Sequence, residues 1–306
     1  MDSEPQNLND PLVRELSESL MNEVVGAVGL PKTRFNRSLM WRIIGGTASR
    51  LAKIGVTFES LIGEKGLPAA SAWVLSLFCH PVRVDMQNDI PQEGPLLVVA
   101  NHPGAYDALI LFSQLKRQDI RWISTEIPFM RLLQQASGHI IYAPRNESSS
   151  RMIAMRNIVR HLQSGGAMVY FGSGHRDPDP SVYPGAKNAI DNWLKVYDTF
   201  FKYVPGLKIL PAIASGVVSE RWAHHPITWL RRKQIDKHRL AEFGQVITQL
   251  RHPGRLMITP SVTFGSAVNR EELLLEQTGS DLHAGVVALG KNLLDSHVEQ
   301  FGCTYL

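Results

Sequence analysis

The sequence predicts an α/β protein: a mixed, largely parallel sheet covered by helices, with an N-terminal helical hairpin ahead of it. Two observations predict this class. Short runs that are apolar throughout alternate with stretches of helical periodicity, the pattern of strands buried on both faces by helices. No internal repeat and no linker rich in Pro, Gly or Ser divides the chain, so the alternation belongs to one sheet.

Taken in order, residues 1 to about 37 are polar apart from an amphipathic run from Leu12 to Val28. Between Leu39 and Leu61 the apolar residues Leu39, Ile43, Ile44, Leu51, Ile54, Phe58 and Leu61 recur at helical spacing, interleaved with Trp41, Arg42, Arg50 and Lys53. A second helix spans Ala69 to Phe78 and carries Trp73. The pair is expected either to cover the core or to sit at a lipid headgroup layer. Residues 1–80 are therefore set apart as an N-terminal helical region and 81–306 as the main α/β domain. The expected strands are 96–100, 122–124, 139–142, 167–171, 209–213 and 256–259. A helix from Ser150 to Gln163 shows Met152, Met155, Val159 and Leu162 on one face and closes at Gly165-Gly166.

Composition narrows the function. Of 306 residues, 44% are hydrophobic and 20% charged, which excludes disorder, collagen and coiled coil. The most apolar window, Leu67 to Phe78, is a dozen residues interrupted by Pro68, too short for a membrane span. Two cysteines, Cys79 and Cys303, form no disulfide framework and no metal motif, so no metal or resident cofactor is expected. A reducing interior is expected, and the acidic, polar start Met1-Asp2-Ser3-Glu4-Pro5 has no signal-peptide character. The net charge is +4, and the segment Arg231 to Arg239 accounts for all of it with five basic residues and one acidic. That segment follows Trp222, Trp229 and Leu230. It is either a solvated helix face or a patch that meets anionic lipid headgroups. No nucleic-acid motif accompanies it.

The chemistry is expected in Val98-Val99-Ala100-Asn101-His102-Pro103-Gly104-Ala105-Tyr106-Asp107. A buried strand ends at Ala100, a turn follows, and a helix begins near Tyr106. His102 thus falls at the carboxyl end of a strand, where open α/β sheets bind ligands. Asp107, at the start of the helix, can fold back to one ring nitrogen and leave the other as a base toward a hydroxyl.

Gly94 through His102, four further residues and Asp107 resemble the first motif of the glycerolipid acyltransferase family, whose members acylate glycerol 3-phosphate and lysophosphatidic acid. Gly138-His139-Ile140-Ile141-Tyr142-Ala143-Pro144-Arg145 is similar to its second motif and Phe171-Gly172-Ser173-Gly174-His175-Arg176 to its third. Ile209 to Ile213 resembles the fourth, Tyr183 to Lys187 a glycine-containing stretch, and Val262 to Gly265 the last strand; the likeness covers roughly 80 to 268. In the third motif the usual Pro, Glu and Thr are Gly172, Ser173 and His175. The family's glutamate belongs to the acceptor site, so neutral Ser173 is expected to leave Arg176 freer to meet an anion.

The resemblance implies an O-acyltransferase that moves a fatty acyl chain from acyl-CoA or an acyl carrier protein to a hydroxyl of a phospholipid precursor or related polar lipid. His102 would be the general base, with Asp107 orienting it. Arg145 and Arg176 would hold a phosphate, while Ser173 and Gly174 border the acceptor. The donor is a substrate, so no cofactor is required, and the expected location is peripheral, on the cytoplasmic side of a membrane. The alternative is a non-catalytic lipid-binding or membrane-adaptor protein with the same fold. Ser173 between Gly172 and Gly174 does not make a nucleophile elbow, because Phe171 and His175 stand where that turn needs glycine.

Overall fold

The computed structural model describes residues 10–27, 33–143, 148–275 and 281–303. Its strands are β1 (Arg83–Met86), β2 (Leu96–Ala100), β3 (Ile120–Ser124), β4 (Ile140–Tyr142), β5 (Ala167–Phe171), β6 (Lys208–Ser215) and β7 (Ser261–Phe264). They form one sheet in the order β1-β7-β6-β2-β5-β3-β4. All neighbours are parallel except β6 and β7, which makes the sheet mixed and largely parallel, as the apolar runs predict.

The central strand β2 explains the organisation. Each of its five residues is fully buried, because side chains alternate between faces and both faces are covered. Leu96, Val98 and Ala100 enter one core with Ala167, Val169 and Phe171 of β5 and Leu210 and Ala212 of β6. Leu97 and Val99 enter the opposite core with Met168, Tyr170, Ile209 and Ile213. The second core is closed by Ser148–Gln163, Tyr197–Tyr203 and Leu282–Phe301.

Three N-terminal helices, α1 (Pro11–Ala27), α2 (Arg34–Lys65) and α3 (Leu67–Phe78), lie on the first face. Val13, Leu16, Val56, Ile62, Leu67, Leu75 and Phe78 share the core of β2 and β5. Only Gly66 separates α2 from α3, so the hairpin is tighter than the apolar spacing suggests. The first half of α2 departs from expectation. Ile44 and Ala48 pack on Met21 of α1, whereas Phe35, Leu39, Trp41 and Ile43 stay exposed. At 1.5 Å per residue this 32-residue helix is about 48 Å long, and α1 packs on one side of its leading half.

Two strand expectations are corrected. Leu256 to Thr259 is not a strand; it contributes a single bridge, Ile258 to Cys79, because the backbone is turning toward β7. Conversely, β1 is mostly exposed, with Val84 and Met86 alternating with Arg83 and Asp85 and no continuous apolar run to announce it, and it pairs with β7 at the sheet edge.

The antiparallel seam is tied to the C-terminal helix by His297, fully buried with Nε2 2.7 Å from Ser215 Oγ and Nδ1 2.8 Å from Thr263 Oγ1. Burial pushes its imidazole down to about 4 from 6.5. The unfolded chain therefore takes up this proton first, and the stability is complete above pH 6.5 and lost as the pH falls toward 4. His297→Gln, which keeps hydrogen-bonding capacity without titrating, should remove about 2 kcal/mol of the stability that the parent loses between pH 7 and 5, read from urea midpoints.

Candidate active site

The carboxyl ends of β2, β5 and β6 converge on one turn. Asn101 clamps β2 to β6: its Nδ2 donates to the Ala214 carbonyl at 2.9 Å and its Oδ1 accepts from the Ala214 N–H at 2.8 Å. Gly172 N–H donates to the Ala100 carbonyl on the other side. The next residue, His102, is thus held where strand pairing ends. Its backbone N–H donates to Asp177 Oδ2 and its carbonyl accepts from the Asp177 N–H, both at 2.9 Å.

The imidazole is fixed on two sides. Phe171 of β5 stacks on it with centroids 4.2 Å apart and an interplanar angle of 22°. Nδ1 lies 2.7 Å from Asp107 Oδ2. Asp107 is buried and opens α4 (Asp107–Leu115), where Oδ2 also accepts from the Gly104 N–H at 2.9 Å and Oδ1 from Ala108 N–H at 2.6 Å. A carboxylate can only accept, so the proton of a neutral His102 sits on Nδ1 and Nε2 carries the lone pair. The side chain keeps 26% of its surface exposed, which leaves that nitrogen to a ligand.

The wall opposite comes from the loop after β5 and from the helix Gln234–Arg251. Ser173 is buried in a turn, donating to the His175 carbonyl and accepting from its N–H, and Gly174 takes a left-handed φ of 65° that permits the turn. The Trp193 ring lies against Gly172; a Cβ there would come within 2.4 Å of that ring. Arg176 does reach the site, but it is not free. Its Nη1 is 2.9 Å from Glu242 Oε1 of the helix Gln234–Arg251, which corrects the expectation that neutral Ser173 leaves this arginine freer to meet an anion. Tertiary contact restores the negative charge that local sequence removes. Arg145 lies outside the described residues.

Four polar residues at this wall are not singled out by sequence reasoning. Asp177 anchors His102, and desolvation raises its carboxyl above the usual range against the hydrogen bonds that lower it. Asp179, fully buried, accepts from Ser181, Gly216, Val217 and Val218 and so ties the loop after β5 to the end of β6. His238 lies against Tyr183, and burial lowers its imidazole to about 4. Glu242 is pushed up to about 7 by desolvation, opposed by Arg176. The available signal was the spacing of His238, Glu242, Gln245 and Gln249 along one helix face. Such a face is ordinarily solvated, but here it is buried against the turn.

Taken together, the sheet presents at its strand ends a histidine hydrogen-bonded to a buried aspartate, where open α/β sheets place ligands. Residues 81–215, spanning β1 to β6 and both His102 and Asp107, match the model of the family described as Acyltransferase. Among solved structures, the chain is similar to the 1-acyl-sn-glycerophosphate (LPA) acyltransferase PlsC from Thermotoga maritima, with 15% identity, a TM-score of 0.41, and 95% of this chain and 99% of that chain covered. No curated protein matches the chain.

Asp179 gives the test of this wall. Asp179→Asn turns an NH₂ toward backbone donors already in place, and should lower stability by about 2–3 kcal/mol in urea unfolding; Glu126→Gln, at an exposed surface pair with Arg131, should stay within about 0.5 kcal/mol.

Proposed function

We propose that the chain transfers a fatty acyl group from an acyl thioester, acyl-CoA or acyl carrier protein, to a hydroxyl of a phospholipid precursor or related polar lipid. The observation that carries this reading is the 2.7 Å contact of His102 Nδ1 with buried Asp107, made inside the acyltransferase-family segment. Nε2 takes the proton of the acceptor hydroxyl as its oxygen attacks the thioester carbonyl. Asp107 stabilises the imidazolium so formed. Collapse of the tetrahedral adduct breaks the C–S bond, and the thiolate takes the proton back from Nε2. A thioester is already activated, so the protein supplies base, orientation and position without a nucleophile of its own. Arg176, a quarter exposed, is the described cation placed to meet the acceptor headgroup.

The substrates of such a reaction are amphiphiles, and the surface suits them. Trp229 and Leu230 are exposed at 73% and 79%, and Arg231, Arg232 and Lys233 follow them in exposed positions. This apolar tip with a basic collar leads directly into the helix that carries Glu242 to the site. The exposed Phe35, Leu39, Trp41 and Ile43 of α2 add a second apolar strip, and Arg251, at the far end of the helix Gln234–Arg251, donates to the Ile43 carbonyl. No helix among the described residues is long and apolar enough to cross a membrane. The supported mode is peripheral, with Trp and Leu inserted and cations at the headgroups.

His102→Ala should abolish transfer from a thioester to a panel of lyso-lipids while leaving the unfolding free energy from urea titration within about 1 kcal/mol of the parent. Asp107→Asn should lower kcat by about 10²- to 10⁴-fold. Retained activity in the first variant removes the base, and liposome binding without any turnover in the parent favours the adaptor reading. Replacing Arg231, Arg232 and Lys233 by Gln should weaken binding to vesicles containing anionic lipid by roughly 10- to 100-fold, each cation being worth about 1 kcal/mol there, with turnover of soluble short-chain substrates unchanged.

A further inference from the structure

Glu242 lies outside the family-matched segment, on the helix Gln234–Arg251, yet it packs against the turn that carries His102. Its Oε1 is close enough to Gly104 that a Cβ on that residue would come within 2.7 Å of it, so only glycine leaves room for the carboxyl at this point. The same oxygen is 2.9 Å from Arg176 Nη1. The contact is an ion pair without hydrogen-bond alignment: both atoms are buried, and neither has a hydrogen-bond partner. A guanidinium and a carboxylate left in this way retain hydrogen-bonding capacity that an incoming polar group can use. Arg176 is partly exposed and can turn toward a ligand, whereas Glu242 is held by its helix.

Resting on the acyl-transfer reading above, we infer that Glu242 is a specificity-determining positioning residue: its carboxylate competes with an anionic acceptor for the Arg176 guanidinium, and thereby sets the preference between charged and uncharged headgroups. When Glu242 is ionised, Arg176 is already paired and adds little attraction for an anion. When it is protonated, the guanidinium is released to the acceptor. The groups facing this carboxyl are Arg176 and Tyr183 from the loop region after β5, His102 and Asp107 from the catalytic turn, and Tyr106 beside them. His238 lies one turn away on the same helix. Burial, opposed by Arg176, raises the Glu242 carboxyl to about 7, so the exchange falls within the neutral range.

Equilibrium binding reads this without requiring turnover. The probes are a lysophosphatidylglycerol, whose phosphodiester charge is fixed across the range, and an uncharged monoacylglycerol of equal chain length, both presented in neutral detergent at constant salt. The wild-type preference for the anionic lipid should fall roughly three- to tenfold from pH 6 to 8 as Glu242 ionises. In Glu242→Gln the preference at pH 8 should exceed that of wild type by the same factor, with the two proteins converging near pH 5.5. Any part contributed by His102 is common to both. Glu242→Asp should retain a pH-dependent preference, which covers the case in which the Gln variant does not fold. A wild-type preference that does not change with pH, or a Gln variant indistinguishable from wild type at pH 8, overturns the inference. Failure of the acyl-transfer reading is seen separately, as absence of His102-dependent thioester cleavage in a protein whose binding still follows Glu242.

Discussion

The Asp107 carboxylate is the group on which the site depends. With three contacts it joins the imidazole of His102, the backbone of Gly104 and the first turn of α4. The turn between β2 and α4 therefore has one closed arrangement, in which His102 and the backbone that positions it are fixed by the same two oxygens. Burial makes this arrangement demanding, because an unmet acceptor would carry its full desolvation cost. The same burial makes the imidazole orientation specific.

Around this turn the protein repeats the device with other acids. Asp177 holds the backbone of His102, and Asp179 draws the backbone of residues 216–218 against the loop after β5. Each buried carboxyl is matched mainly by N–H donors rather than by cations. Glu242 is the exception. Its partner is a charged side chain that remains partly exposed and whose contact is unaligned. A site built from well-satisfied acids thus contains one pair that a ligand is able to rearrange.

The hydrophobic patterning and the site respond to different parts of the sequence. Strands β2 and β5 are legible because all five positions of each are apolar and both faces are covered. β1 is not, because it is a short edge strand whose Val84 and Met86 stay exposed, without a continuous apolar run, and it takes its conformation from pairing with β7. Leu256 to Thr259 shows the converse error: the apolar run pairs through a single bridge, Ile258 to Cys79, and is otherwise irregular. The same distinction separates Leu39 and Ile43, whose spacing suits a buried helix face, from Ile44, which the packing of α1 does bury.

By itself the sequence determined the α/β class and the strand that ends at Ala100, since these follow from short-range periodicity; the five-residue spacing offered His102 and Asp107 as a candidate pair, which the curl of the turn brings together. Tertiary structure alone decided the opposing wall. Glu242 is 66 residues from Arg176 in the chain, and its helix has polar side chains on the face that is buried. Only the folded sheet brings that face against the turn. Ser173 removes a carboxylate from the local motif, and the fold supplies one from elsewhere, because electrostatic complementarity depends on distance in space and is indifferent to separation along the chain.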